Sequence, residues 1–256
     1  MAAVTFKDVY KQFEGMGYPA LDHVNIEIAE GEFVTILGSS GCGKTTFIKM
    51  INRLYEPDAG EILLFGKQIR DKDPVQLRRR IGYVIQQVGL FPHMTVGENI
   101  ATIPHILKWD KERINAQVDA MLLLVDLEPQ EFKNRYPAQL SGGQQQRIGL
   151  ARALICDPRI MLLDEPFGAI DAITRENLQN ELKRIHTESK KTYIFVTHDI
   201  REALKLGTKV MIMNQGQILQ YGTPEEVLAH PADGFVEELI QTSGVSESLL
   251  KDGDGI

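Results

Sequence analysis

The chain has 256 residues, of which 43% are hydrophobic, so it can bury one substantial core or a main core with a smaller lobe. Its formal net charge of -7 offers no wide basic field, which argues against nucleic acid as a partner. Its two cysteines, Cys42 and Cys156, lie far apart and form neither a CxxC pair nor a disulfide framework, which favours a reducing, cytosolic compartment.

The first predicted elements are strands. Residues 4–10 and 24–29 alternate apolar with polar side chains, as half-buried antiparallel strands do, and residues 33–37 form a short buried strand. A glycine-rich loop follows, and then an apolar helix at 45–54. No basic segment followed by an apolar stretch opens the chain, so we expect no secretory signal.

The middle of the chain is predicted to be largely helical. After a strand at 81–85, residues 96–154 have the pattern of helices separated at prolines, and we expect a helical subdomain at about 88–155. The helix breaks are predicted at Pro104, Pro129 and Pro137.

Strands return at 160–163 and 193–196, with a helix between them. The predicted apolar face of that helix carries Ile173, Leu178, Leu182 and Ile185. This alternation predicts an α/β fold with a parallel sheet and crossover helices. The portion at about 207–256 is predicted to contain a hairpin around Asn214-Gln215-Gly216, a short helix near Glu225 and a polar tail. No apolar run approaches the ~20 residues of a membrane-spanning helix, so any membrane role requires a partner.

A phosphate-binding motif joins the strand at 33–37 to the helix after it. The segment Gly38-Ser39-Ser40-Gly41-Cys42-Gly43-Lys44-Thr45 fits GxxxxGK[ST] in the strand-to-helix context that this motif requires, and Thr46 extends the nucleotide-binding set. The glycines allow backbone N–H groups to surround phosphate oxygens, Lys44 supplies a full positive charge, and the Thr45 hydroxyl can bind Mg²⁺. A plain glycine turn is the alternative, but a lysine at a helix start opposes the helix dipole unless an anion is present. We interpret Cys42 as a supplier of a backbone N–H rather than as a redox group.

Two adjacent acids end the strand at 160–163, and a histidine follows the strand at 193–196. Alternation along a strand would send the two carboxylates in different directions, so Asp164 suits the Mg²⁺ shell and Glu165 suits a general base beside the terminal phosphate. His198 is predicted at the same ligand-binding edge, where it would bond the terminal phosphate or the attacking water.

A second candidate phosphate site is the segment Leu140-Ser141-Gly142-Gly143-Gln144. A helix is predicted at 145–156, and Ser141 can cap it. Two glycines at a helix start also leave N–H groups that can meet an anion. At this point the sequence resembles the nucleotide-binding domains of ATP-binding cassette (ABC) transporters, whose LSGGQ motif matches 140–144 without a change. The resemblance covers nearly the whole chain. It implies one P-loop NTPase domain over 1–256 with a mixed, mainly parallel core sheet, an N-terminal antiparallel β subdomain and an inserted α-helical subdomain.

The resemblance also implies a dimer. In that family two domains pair head to tail, so Ser141, Gly142, Gly143 and Gln144 of one copy contact the ATP held by residues 38–46 of the other. Asp171 also keeps its family identity, although Gly168-Ala169-Ile170-Asp171 stands where the family usually has Ser-Ala-Leu-Asp.

Two further positions are assigned by the resemblance alone. Phe13 corresponds to the aromatic that stacks on adenine, with Tyr10 and Tyr18 as nearby alternatives. Gln86 corresponds to the glutamine that links the metal site to the membrane partner, with Gln87 directly beside it.

Three stretches resemble the subgroup that serves importers of quaternary-amine osmoprotectants such as glycine betaine, carnitine and choline. They lie at 82–93, 199–206 and 222–228. The implied assembly contains ATP, Mg²⁺, a second copy or a paralogue, permease subunits and indirectly a substrate-binding protein, on the cytoplasmic face of the membrane and without nucleic acid.

Three alternatives remain open. One is an ABC ATPase of another transporter for amino acids, lipids or export. A second is a soluble ABC ATPase acting on DNA or ribosomes, although the chain has neither a long coiled-coil insertion nor two fused cassettes. A third is a nucleotide-gated binding module without turnover, against which Glu165 argues.

Overall fold

The computed structural model describes residues 1–15, 17–85 and 89–244, which form an α/β fold. The strands are β1 (Ala2–Lys11), β2 (Leu21–Ala29), β3 (Phe33–Gly38), β4 (Ala59–Leu64), β5 (Lys67–Gln68), β6 (Ile81–Val84), β7 (Ile160–Asp164), β8 (Thr192–Val196), β9 (Lys209–Asn214) and β10 (Gln217–Gly222). The helices are α1 (Lys44–Ile51), α2 (Pro74–Arg78), α3 (Val96–Ile100), α4 (Thr102–Ile106), α5 (Lys111–Leu124), α6 (Pro129–Phe132), α7 (Gly142–Leu154), α8 (Ala172–Ser189), α9 (Ile200–Leu206), α10 (Pro224–Ala229) and α11 (Phe235–Ser243). A 3₁₀ turn at Pro137–Gln139 precedes α7.

The chain divides into two compact units. The first unit combines residues 1–78 with residues from 188 onward, and the second covers residues 79–187. None of the helices in the described chain is both long and apolar enough to cross a membrane.

The first unit contains two sets of strands. An antiparallel sheet has the order β2-β1-β4-β5, in which Phe6 lies opposite Ile26 and Ile62. Buried and exposed residues alternate along β2 from Val24 to Ala29. The second set has the order β10-β9-β3-β8, in which β3 runs parallel to β8 and β9. Strand β3 is buried from Phe33 to Leu37, as expected for a parallel strand that is covered on both faces.

The second unit is a parallel strand pair with helices. Strands β6 and β7 run side by side from the pair Ile81 and Ile160 onward, and every residue of β7 is buried. Helix α7 contacts β6, α3 and α5. This packing places the start of α7 and the end of β7 in the same unit.

Several differences from the sequence prediction concern helices. Pro104 lies inside α4 instead of breaking a helix, because in the first turn of a helix its missing N–H costs no hydrogen bond. Ile173 does not belong to the buried face of α8 but is 78% exposed, while Leu178 and Leu182 are buried as expected. The polar tail contains α11, whose Val236 is buried in a cluster with residues of β9 and α9.

Candidate nucleotide-binding site

The predicted phosphate loop lies between β3 and α1, as the motif requires. Gly43 is the N-cap of α1 and has a φ of 111°. A side chain there would overlap the backbone carbonyl of Ala20, and a side chain at Gly38 would overlap that of Met213. Both positions therefore need glycine, because the chain passes too close for a Cβ atom.

Lys44 is buried against this loop. Its Nζ donates hydrogen bonds to the carbonyl oxygens of Gly38 and Ser39, both at 2.8 Å, and lies 3.8 Å from the Cys42 Sγ. A buried ammonium must be compensated, and the two carbonyl dipoles do so here. The positive charge is thus held at the loop itself, next to the N-terminus of α1, where an anion is favoured. Thr45 and Thr46 follow in the first turn of α1 and are half-buried.

The turn between β9 and β10 is hydrogen-bonded to the phosphate loop, a contact that the sequence did not predict. The Gly216 N–H donates to the Cys42 carbonyl at 3.0 Å, and the Ser39 hydroxyl donates to the Asn214 Oδ1 at 3.0 Å. The Gly216 carbonyl in turn accepts from the Asp22 N–H at 2.9 Å. The sequence predicts the turn itself, but the bond between Ser39 and Asn214 joins residues 175 positions apart and has no local signal.

The three candidate aromatics occupy different surroundings. The Phe13 ring is half-buried and packs edge-on against Tyr55, with ring centres 5.1 Å apart. Tyr10 packs beside a histidine ring of β2. The Tyr18 hydroxyl would be 3.6 Å from a Cβ atom built on Gly41, which places Tyr18 at the phosphate loop. The assignment of Phe13 as the adenine-stacking residue stays a prediction.

His198 emerges beside the phosphate loop, at the carboxyl end of β8. Strands β3 and β8 are parallel neighbours, with Ile36 opposite Val196, so their carboxyl ends meet at one edge, as predicted. The His198 side chain is exposed there. The Thr197 hydroxyl, which is buried, donates to the Glu202 Oε2 at 2.6 Å and accepts from the Asp199 N–H at 3.0 Å. The backbone is therefore held on both sides of His198.

In the second unit, Asp164 and Glu165 stand where β7 ends. Asp164 is its last residue and is 5% exposed, whereas Glu165 is only partly buried. The expected alternation along the strand does not apply to this pair, because Glu165 has left the strand and has a φ of 48°. The two carboxylates therefore have different environments because the backbone turns at Glu165.

The loop after Glu165 leads to α8. Its predicted residue Asp171 precedes the first residue of α8, and its Oδ1 accepts from the Thr174 N–H at 3.0 Å. This bond to the Thr174 backbone, together with a side-chain bond from Thr174, holds the pKa of Asp171 below its usual value. Asp171 thus caps α8 in this structure.

The LSGGQ segment forms the start of α7 as predicted. The Ser141 Oγ accepts from the Gln144 N–H at 3.2 Å, and the Gln144 Oε1 accepts from the Ser141 N–H at 3.0 Å. This reciprocal capping box fixes the first turn. The N–H groups of Gly142 and Gly143 have no acceptor within the helix, because the first turn of any helix leaves such groups over. They can meet an anion.

The predicted metal ligand Gln86 and its alternative Gln87 lie outside the described residues. Within residues 1–15, 17–85 and 89–244, no group of three or more His, Cys, Asp or Glu is arranged to hold a metal ion.

Burial raises the pKa of the Cys156 thiol to about 11, against a smaller opposing effect of Arg113, so this thiol is protonated at neutral pH.

Comparison with known proteins gives consistent matches. The sequence model of the ABC transporter family matches residues 21–168. Over 97% of its length the chain is 51% identical to the choline transport ATP-binding protein OpuBA of Bacillus subtilis, and over 91% it is 52% identical to the glycine betaine/carnitine/choline transport ATP-binding protein OpuCA of the same organism. The chain spans 65% and 61% of the length of these two relatives. It is also 46% identical to the glycine betaine uptake system ATP-binding protein YehX of Escherichia coli, over 96% of the chain and 79% of that protein.

Solved structures agree with the sequence comparison. The ATP-binding cassette MJ0796, in a dimeric post-hydrolysis state bound to ADP and Pi, matches with a TM-score of 0.80 and 37% identity. The match covers 86% of this chain and 98% of the MJ0796 chain. The matches agree with the phosphate loop and the capped LSGGQ helix, and they show that the chain belongs to the ABC transporter family.

Proposed function

We propose that this chain binds and hydrolyses ATP and thereby drives a membrane importer of quaternary-amine osmoprotectants. The observation that carries the proposal is the phosphate loop, in which Lys44 is buried against the loop carbonyls at the N-terminus of α1. Residues 38–46 would hold the triphosphate and Phe13 would stack on the adenine. A positive charge and backbone N–H groups at one helix start are the two features that phosphate recognition needs.

The chemistry is assigned to Glu165, His198 and Gln86. Glu165, at the turn after β7, would be the general base that takes a proton from the attacking water. His198 would bond the terminal phosphate or that water, and Gln86 would link the metal site to the membrane partner. Asp171 would contribute to nucleotide binding from the start of α8. An exposed histidine and a partly buried carboxylate are both accessible to a ligand.

Mg²⁺ would be held by Thr45, Asp164 and Gln86, with Asp164 acting through a water molecule. Hydroxyl, carboxylate and amide oxygens are the ligands that Mg²⁺ prefers, and Mg²⁺ commonly completes its shell with substrate phosphates and water. The ion would neutralise the charge that develops on the phosphate oxygens.

The active form is proposed to be a head-to-tail dimer. Residues Ser141–Gln144 of one copy would contact the ATP on the phosphate loop of the other. The glycines at the start of α7 offer a second anion-binding site, and the single triphosphate held by the phosphate loop of the same chain does not need it. The dimeric state of the MJ0796 cassette supports this arrangement.

The family suggests the domain organisation of the chain and the other subunits of the transporter. We propose one nucleotide-binding domain over 1–256, with the helical subdomain at about 88–155 and a C-terminal portion at about 207–256. Permease subunits would hold the chain at the cytoplasmic face of the membrane, and a substrate-binding protein would deliver the solute. The relatives named for choline, carnitine and glycine betaine support a quaternary-amine substrate.

The test combines transport with catalysis. Cells that lack their own osmoprotectant uptake and express this chain with its permease subunits and substrate-binding protein should accumulate labelled glycine betaine, carnitine or choline. Glu165→Gln should abolish both this uptake and ATP hydrolysis while leaving ATP binding intact, because it removes only the base. Hydrolysis that persists at the normal rate in Glu165→Gln would refute the assigned base, and uptake of polyamines instead of quaternary amines would refute the substrate.

A further inference from the structure

Gln146 connects α7 to the loop that carries Glu165. It lies in the second turn of α7 and is 3% exposed. Its Nε2 donates to the Glu165 carbonyl at 3.0 Å, and its Oε1 accepts from the Ala169 N–H at 2.9 Å. Both ends of one buried amide are therefore used on the same loop. Nothing in the chemistry proposed above assigns a role to this side chain.

The backbone that Gln146 holds has an unusual conformation. Glu165 has a φ of 48°, in the left-handed region that residues with a side chain rarely adopt. Such a conformation is strained and persists only where the surrounding structure enforces it. The carbonyl of Glu165 also accepts from the Gly168 N–H at 3.3 Å, a longer bond than the one from Gln146.

Helix α7 also lies directly against this loop at its first turn. A Cβ atom built on Gly143 would be 3.1 Å from the Ala169 carbonyl oxygen, closer than most Cβ contacts. The capped start of α7 and the loop from Glu165 to Ala169 therefore touch at two successive turns of one helix. A displacement of the helix start would therefore also displace the loop, because packed interiors yield little to strain.

We propose that Gln146 is a positioning residue for the general base: its amide fixes the backbone of Glu165 and links it to the start of α7. This inference rests on the proposed function of Glu165. In the dimer, the start of α7 would meet the ATP of the other copy while Glu165 serves the ATP of its own copy. Gln146 would therefore make the rate at one site depend on occupancy of the other.

The variant that tests this is Gln146→Met, which keeps the length and burial of the side chain and removes both hydrogen bonds. We expect kcat for ATP hydrolysis to fall about tenfold or more while KM for ATP changes less than about twofold, because the phosphate loop is untouched. The ATP-bound dimer should also persist longer, by about the factor lost in kcat, because slower hydrolysis delays its reopening. Size-exclusion chromatography after addition of ATP and Mg²⁺ measures this persistence.

Two further variants separate positioning from folding. Gln146→Glu keeps the oxygen that accepts from Ala169 and places a second oxygen against the Glu165 carbonyl, so kcat should fall at least as far as in Gln146→Met. Gln179→Met replaces another buried glutamine of the same unit, on α8, which is 4% exposed. It should lower the thermal unfolding temperature to a similar extent without lowering kcat.

The outcomes are distinct. A normal kcat in Gln146→Met, or an ATP-bound dimer of that variant that forms less readily than in the wild type, would overturn the positioning role. An inactive wild-type chain would instead overturn the proposed function. A wild type that hydrolyses ATP, beside an inactive Glu165→Gln and a fully active Gln146→Met, would leave the function standing and refute only this inference.

Discussion

Thr197 holds the backbone next to His198, although the proposed mechanism gives Thr197 no contact with substrate. The hydroxyl of Thr197 donates to the Glu202 carboxylate and accepts from the Asp199 N–H. Asp199 in turn caps α9, since its Oδ1 accepts from the Arg201 N–H at 2.8 Å. A single buried hydroxyl thus ties the end of β8 to the start of α9 on either side of the histidine.

Replacing Thr197 with valine should therefore impair catalysis and stability together. The substitution keeps the shape but removes the hydroxyl, so Glu202 and the Asp199 N–H both lose this partner. We expect the free energy of unfolding to fall by about 1–3 kcal/mol, the usual cost of removing a partner from a buried polar group. Thr197→Val should also lower kcat about tenfold, because His198 loses its fixed backbone. Urea unfolding and steady-state ATPase kinetics measure the two effects.

The control for this prediction is Thr197→Ser, which retains the hydroxyl. It should recover most of the lost kcat. A serine variant as impaired as the valine variant would mean that methyl packing, rather than the hydroxyl, matters at this position.

At the scale of elements, the turn between β9 and β10 stabilises the phosphate loop through hydrogen bonds. Gln215 and Gly216 have φ values of 46° and 80°, which fits a two-residue hairpin turn of the type that asparagine and glycine favour. The Gly216 N–H reaches the Cys42 carbonyl, so the shape of the turn and the shape of the loop are linked.

Gly216→Ala should weaken ATP binding. The positive φ costs an alanine roughly 1–2 kcal/mol, and its Cβ would be only 2.5 Å from the Pro19 carbonyl oxygen, so the turn must shift away from the loop. We expect the Kd for ATP to rise several-fold while kcat at saturating ATP changes little. Fluorescent-nucleotide titration measures the Kd.

The matched control is Gly66→Ala in the turn between β4 and β5. Gly66 has a φ of 71°, and a Cβ there meets nothing within 4 Å, so it carries the same backbone strain without contacting the loop. Equal effects of the two substitutions on the Kd would show that the Gly216 effect is general destabilisation.

Local sequence patterns predicted most of the helices and strands, but they did not predict the hydrogen bonds between elements that are distant in sequence. The strand before Gly38, the helix after Lys44 and the cap at Ser141 all follow from spacing and residue type within a few positions. The bridge from Gln146 to the Glu165 loop has no such signal, because a buried glutamine on a helix looks like any other polar helical residue. The exposure of Ile173 was misjudged for a related reason: periodicity identifies a face but not where its burial begins.

At the scale of the whole molecule, the proposed function assigns anion binding to two helix starts of the chain. One is α1, with Lys44 held at the phosphate loop, and the other is α7, with its capping box at Ser141. They belong to different compact units of the chain. The central claim of the proposed function is that the start of α7 in a second copy completes each ATP-binding site.

Mixing two inactive variants tests this claim most directly. Lys44→Ala should lose the phosphate-loop charge and Ser141→Arg should block the α7 start, so each variant alone should be inactive. In an equal mixture, half of the dimers pair the two variants, and each such dimer contains one site with an intact Lys44 and an intact Ser141 from different copies. Single-turnover hydrolysis should recover toward about a quarter of the wild-type amplitude. A mixture that stays as inactive as its separate components would contradict a site shared between two copies.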